Sequence, residues 1–192
     1  MAEVKKEINW SSKELCQKNE KYNFSIYKIK QKNYQLVFTA GLSNYQQAAD
    51  IASNSLSNIE LYFCLPEYWD IEKNNWPIHW LNRIAQVPQK NKTSFGIGDT
   101  LPAGNPPNPL DEKFLAEYFV LLEPMLLHDE LVTQHSENFK WLAVVPIFKK
   151  EFDFKLQNST TALLKKFEVQ NVTEMVDTFR LPVGRKKFMG IF

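Results

Sequence analysis

Residues 59–88 read IELYFCLPEYWDIEKNNWPIHWLNRIAQVP. Ile59, Leu61, Phe63 and Leu65 recur at a period of two, with Glu60, Tyr62 and Cys64 between them, which predicts a half-buried strand ending at Pro66. Tyr68, Trp69 and Asp70 follow as an aromatic turn. Asn74-Asn75-Trp76-Pro77 then supplies polar entry residues and a proline in the first helical turn, where its missing N–H costs nothing. Trp76, Trp80, Leu81 and Ile84 fall on one face of the helix predicted from there, and His79, Asn82, Arg83 and Gln86 on the other. Pro88 is expected to end it. Strand, turn and helix form one unit, with the Trp80, Leu81 and Ile84 face packed on the strand.

Working outward, Ser11 or Ser12 caps an expected short helix running to about Lys21. Tyr22, Phe24 and Ile26 alternate, as do Tyr34, Leu36 and Phe38, with Gln31-Lys32-Asn33 turning the chain between them, so a hairpin is predicted. Thr39 to Asn44 becomes a loop at Gly41, and residues 45–57 are polar and small, without a period. Thr93 to Leu110 carries Gly96, Gly98, Gly104 and four prolines, which excludes a helix and predicts a long structured loop. Tyr118 to Leu122 and Phe139 to Phe148 read as strands, the second apolar enough to be covered on both faces. Two short helices follow, one over 149–156 and one capped by Ser159, and the 172–192 tail gives no readable pattern. Strands interleaved with helices indicate an α/β fold, a mixed β-sheet covered by helices.

Length and composition narrow the function. A chain of 192 residues, 44% apolar and 14% aromatic, suits a single domain over 1–192 with its own core. Lys plus Arg number 23 against 22 Asp plus Glu, so no overall field draws in nucleic acid or an anionic membrane. With no apolar leader and no run of membrane-spanning length, a cytoplasmic location is expected. Cys16 and Cys64 are read as free thiols.

Chemical motifs are sparse. Gly96-Ile97-Gly98 precedes prolines rather than the helix a phosphate loop needs. His128, Asp129, Glu130 and His135 lack the one-turn histidine pair of a zinc helix, and no serine or cysteine sits in a nucleophile signature. No catalytic residue, metal or cofactor is expected. Glu60 and Asp99 are read first as loop braces, and Trp69 first as core. As a binding surface, the Gly41-Leu42-Ser43 loop, the Tyr68-Trp69-Asp70 turn and the Asp99-Thr100 loop, with Glu60 beside them, combine aromatic anchors with acidic rims suited to a basic partner.

Five segments carry a resemblance. Thr39-Ala40-Gly41-Leu42-Ser43, then Glu60 to Pro66 with Trp69, then Trp76-Pro77-Ile78-His79-Trp80-Leu81, then Gly98-Asp99-Thr100-Leu101-Pro102, then Val145-Pro146-Ile147 with Glu151 together resemble the motif set of the suppressor-of-fused family over about residues 36–168. The resemblance implies an α/β domain like the amino-terminal half of the animal protein, which clamps an extended peptide of a transcription factor between two domains. Single-domain members look bacterial and are proposed as immunity proteins against polymorphic toxins, which makes another polypeptide, a cognate toxin, the implied partner. No family motif is catalytic. The alternative is a small-ligand binder or enzyme using a pocket between the glycine loops.

Overall fold

A computed structural model describes residues 8, 10–47, 57–129, 131 and 139–184. Residues 1–7 and 9, most of the 45–57 loop, Glu130, His135, and the Arg185, Lys186 and Lys187 end of the tail lie outside the described residues.

Among the described residues the strands and longer helices are β1 (Glu14–Asn19), β2 (Phe24–Lys30), β3 (Tyr34–Ala40), β4 (Ile59–Pro66), α1 (Trp76–Asn91), β5 (Thr100–Pro102), β6 (Tyr118–Leu122), β7 (Lys140–Ile147), α2 (Lys149–Gln157) and α3 (Thr160–Val169). The strands form one seven-stranded sheet in the order β1-β2-β3-β4-β7-β6-β5. All neighbours are antiparallel except β4 and β7. The expected mixed sheet covered by helices is therefore what forms, and the β2–β3 hairpin closes with Gln31 N–H donating to the Tyr34 carbonyl at 2.8 Å.

Alternation along each strand divides the interior into two cores. Ile59, Leu61, Phe63 and Leu65 of β4 join Val37, Phe119, Leu121, Leu142 and Val144 beneath α1, which contributes Trp76, Leu81, Ile84 and Ala85. Tyr62 and Cys64 join Leu36, Phe38, Val120 and Val145 on the opposite face, covered by Leu163 and Phe167 of α3. So β4 is buried along its whole length rather than half-buried. The alternation suggested one covered face, yet a helical layer covers the face of Tyr62 and Cys64 too.

Three further expectations are corrected. Residues after Ser12 do not continue as a helix: a 3-10 turn over Trp10–Ser12 leads into β1, which pairs with β2 and carries an irregularity between Leu15 and Gln17. Long-range pairing with an available sheet edge outweighs the weak local helical preference there. Helix α1 also passes through Pro88 to Asn91, ending where Lys92 takes a left-handed conformation and its N–H donates to the Pro88 carbonyl. Pro88 is buried in the last turn, where packing against the core compensates for the one helical hydrogen bond it removes. Finally, Trp76 rather than Trp80 is the deep anchor of α1. Trp76 sits edge-on to Phe63 at 5.4 Å and to Trp69 at 5.6 Å, while Trp80 is only partly buried and lies at the rim against Phe119.

The segment after α3, unreadable in sequence, is built into the middle of the sheet. Strands β4 and β7 pair only as far as Tyr62 and Ala143, although both continue beyond. Past that point Met175 pairs alongside Cys64, and Val176 N–H donates to the Cys64 carbonyl at 2.8 Å. The chain then crosses α2, where Arg180 makes a two-pronged contact with buried Glu151 at 2.6 and 2.8 Å and donates to the Pro146 carbonyl. Glu151 also accepts from Phe148 N–H at the start of α2 and from Val183 N–H.

Candidate functional site

Strand β4 places the candidate residues apart. Gly41, Leu42 and Ser43 follow β3 and are fastened to the beginning of β4 by Glu60. Its buried carboxylate accepts from Thr39 Oγ1 at 2.5 Å, Gly41 N–H at 2.9 Å, Ser43 N–H at 3.0 Å and Ser43 Oγ at 2.7 Å. Leu42 is buried beneath that loop. Trp69 follows the far end of β4, its N–H donating to the Pro66 carbonyl. At about 3.3 Å per residue, the loop at Glu60 and the turn beyond Pro66 are roughly 20 Å apart. Asp99 and Thr100 lie by β5, three strands from β4, or roughly 14 Å at the usual strand spacing. The three loops do not meet in one surface. A strand that crosses the full depth of the sheet sends its preceding and following loops to opposite ends.

Their chemistry also separates. Trp69 is 8% exposed, its indole N–H donates to the Asn74 carbonyl, and its own carbonyl accepts from Gln35 Nε2, so it is a locked core residue. Tyr68 beside it is 72% exposed. Asp70 accepts from the Glu72 and Lys73 N–H groups and pairs with Lys73 Nζ at 2.8 Å. The hydrogen bond from the Lys73 ammonium holds the Asp70 carboxyl below the usual carboxylate range. Asp99 braces its loop by accepting from Gly96 N–H at 2.8 Å. That loop is tied to the segment after β3 by Phe95 N–H donating to Gln47 Oε1. Gly98 is closed against α3, since a Cβ there would lie 2.5 Å from Thr160 Oγ1, and Gly41 faces the Asn23 carbonyl. Gly41 and Gly98 thus pack against different neighbours.

A groove of about 670 Å³ lies between α1 and the segment from β5 to Gly104. Trp80, Arg83, Val87 and Lys90 form one wall, and Leu101 and Pro102 the other. Gly104 makes the turn at its end, with φ near 111° and a hypothetical Cβ 2.9 Å from the Pro106 carbonyl oxygen. The Arg83 guanidinium lies over the Trp80 ring at 4.4 Å. Beside the groove runs β5, the last strand of the sheet. Leu121 N–H donates to the Asp99 carbonyl and Ala103 N–H to the Glu117 carbonyl, so alternate residues face β6. The Thr100 N–H and carbonyl and the Pro102 carbonyl are therefore directed to the outer edge. Sequence reading did not single out these groove residues. One signal was available: α1 contains no acidic residue, so Arg83 and Lys90 have no neighbour on their own helix to pair with.

Among the described residues no cluster of three or more histidine, cysteine, aspartate or glutamate side chains could hold a metal, and His128 is an exposed neighbour of Asp129. Neither Cys16 nor Cys64 is in a disulfide, and burial pushes the Cys16 thiol up. No helix of the described residues is long and apolar enough to cross a membrane.

A seven-stranded mixed sheet with, among the described residues, α1 on one face and α2 and α3 on the other, its loops pinned by buried glutamates, defines an α/β sandwich that presents a groove beside a strand edge. The sequence matches the family profile described as suppressor of fused protein over residues 19–181, and the chain belongs to that family. The match extends beyond the 36–168 span marked by the motifs, taking in β2 and the Arg180 strap. A suppressor-of-fused homologue from Neisseria gonorrhoeae FA 1090 is similar in structure, with a TM-score of 0.63 at 15% identity over 90% of this chain and 89% of that one. The structure of a Sufu–Fu complex is similar with a TM-score of 0.60 at 12% identity, over 91% and 86% of the two chains. Drosophila Suppressor of Fused gives 0.50 at 14% identity, over 76% of this chain and 38% of that one. At these identities the likeness is one of fold. A search of curated proteins finds no match.

Proposed function

We propose that this chain is a non-enzymatic, cytoplasmic protein-binding domain, acting as a single suppressor-of-fused-like domain over residues 1–192, with neutralisation of a polymorphic toxin as its setting. The observation that carries the reading is the groove beside β5, where an open apolar wall adjoins a strand edge with outward backbone groups, an arrangement suited to an extended segment of another polypeptide. Membership of the family supports it, as does the structural likeness to a protein solved in complex with another, the Sufu–Fu complex. Of the residues singled out in the sequence, Asp99 and Thr100 border that edge, and exposed Tyr68 and Asp70 form a second, separate contact region. Gly41, Leu42, Ser43, Glu60 and Trp69 act behind the surface by holding its loops in place.

The test is affinity capture from the native host with the full chain as bait. Recovery of a polypeptide, encoded beside this gene in the toxin setting, supports the reading. Loss of that partner on Thr100→Pro, which removes an outward N–H, with an unchanged circular dichroism spectrum, assigns the edge. Failure to recover any polypeptide, together with turnover of a small molecule, would instead support a ligand-binding or enzymatic role.

A further inference from the structure

We infer that the α1–β5 groove selects an acidic polypeptide segment, in which carboxylates meet Arg83 and Lys90 while an apolar side chain packs between Trp80, Val87 and Leu101. The inference rests on the protein-binding reading above and specifies the partner's chemistry. It reverses the expectation of a basic partner that the exposed carboxylates of the loops suggested.

Charge complementarity carries it. The groove is lined by two cations and by no aspartate or glutamate. Some exposed lysines elsewhere on the chain do reach acids, as Lys18 does with Glu20, Lys73 with Asp70 and Lys149 with Asp153. Among the described residues neither Arg83 nor Lys90 has such a partner. Seven residues apart on one helix, they stand two turns, or roughly 10 Å, apart on the same side. An extended chain places alternate side chains on one face about 6.6–7 Å apart, so acidic residues at i and i+2 or i+4 can address both cations. The Arg83 guanidinium lies over the Trp80 ring, and a guanidinium can meet a carboxylate with two parallel N–H groups. Between the cations, Trp80, Val87 and Leu101 offer an apolar floor, which an acidic segment with an interspersed aliphatic residue would cover. Two cations over an aliphatic floor are too few for a nucleic-acid backbone, which is neutralised by a longer row of them.

The full chain, labelled with nitrogen-15, is titrated with a capped peptide of alternating Glu and Leu, with its Lys-Leu counterpart, with free glutamate and with an oligothymidylate. Amide shifts at Arg83, Lys90 and Leu101 with Glu-Leu but not with Lys-Leu are expected, with affinity falling about tenfold or more in R83E/K90E. The milder R83Q/K90Q, checked for an unchanged melting temperature, separates lost recognition from lost folding. Preference for Lys-Leu, equal response to free glutamate, tighter binding of the oligonucleotide, or no response to Glu-Leu each overturns the inference. If the host partner is captured equally by wild type and R83E/K90E, protein binding stands and this chemistry fails. If Glu-Leu binds at the groove but no partner is captured, the reverse holds.

Discussion

The chain keeps charge in two ways. Glu60, Glu151 and Glu174 are buried, and each is surrounded by donors: Glu60 by the Gly41–Ser43 loop, Glu151 by Arg180 and two backbone N–H groups, and Glu174 by the N–H groups of Met125, Leu126 and Leu127 and by Tyr62 OH. Arg83 and Lys90 are exposed and face an open groove without an acid beside them. A buried charge is tolerable only when its own fold saturates it, so such a group fixes loops and is spent on structure. An exposed charge costs little to leave unpaired and remains available to another molecule. The difference separates charges spent on structure from charges left available at the surface, and it does so without reference to any relative.

The largest effect should come from unbalancing a buried pair. Arg180→Ala leaves Glu151 buried without its cation and should cost about 3–5 kcal/mol in urea unfolding. It should also release the strap from β4, seen as faster exchange of the Val176 amide. Wild-type stability in this variant would show that the strap is not held by charge.

A smaller loss is expected at Glu60. Glu60→Gln puts an amide N–H₂ among donors and should cost about 1–3 kcal/mol, the usual penalty for leaving buried polar groups unmatched. If thermal melting is unaffected, the Gly41–Ser43 loop is braced by other contacts and the contrast with the groove weakens.

The groove should behave oppositely. R83Q/K90Q should change stability by no more than about 0.5 kcal/mol, as surface substitutions do, while altering partner capture. A marked drop in melting temperature would move these residues to the structural side of the comparison.

The smallest effect belongs to Asp70, whose carboxyl the Lys73 ammonium holds low. A depressed folded-state value means the contact stabilises the fold above the unfolded carboxylate value near 4 and is lost as pH falls through the lowered folded value. The wild type minus Asp70→Asn difference should therefore be flat from about pH 5 to 8, shrink below about pH 4, and vanish in molar salt. A difference that grows on acidification would contradict the assignment.

Much of the fold was legible from residues 59–88 because two periodicities meet there, and both survive in the structure. The resemblance on Thr39–Ser43, Trp76–Leu81 and Gly98–Pro102 reached the right family. Glu60 was legible as a brace because an acid in an apolar strand needs donors, and the adjoining loop supplies them. That Gly41, Trp69 and Asp99 share no surface was not legible. Sequence proximity to β4 says nothing about which end of the sheet a loop leaves from, and strand length and strand order together set their separation. Strand β1 was misread because an exposed edge strand, with only Cys16, Gln17 and Asn19 partly covered, shows no clean alternation.

The sequence by itself determined the strand and helix of the central unit, the hairpin before it and the two closing helices, because each carries a local period or cap that needs no distant partner. Tertiary structure alone decided that β4 is covered on both faces, that the segment around Met175 fills the split between β4 and β7, and that Arg83, Lys90 and Leu101 share a groove. Those outcomes depend on strand order and on contacts between residues far apart in the chain. Such pairings are set by which apolar faces can be buried together, a property of the assembled layers that no local window contains.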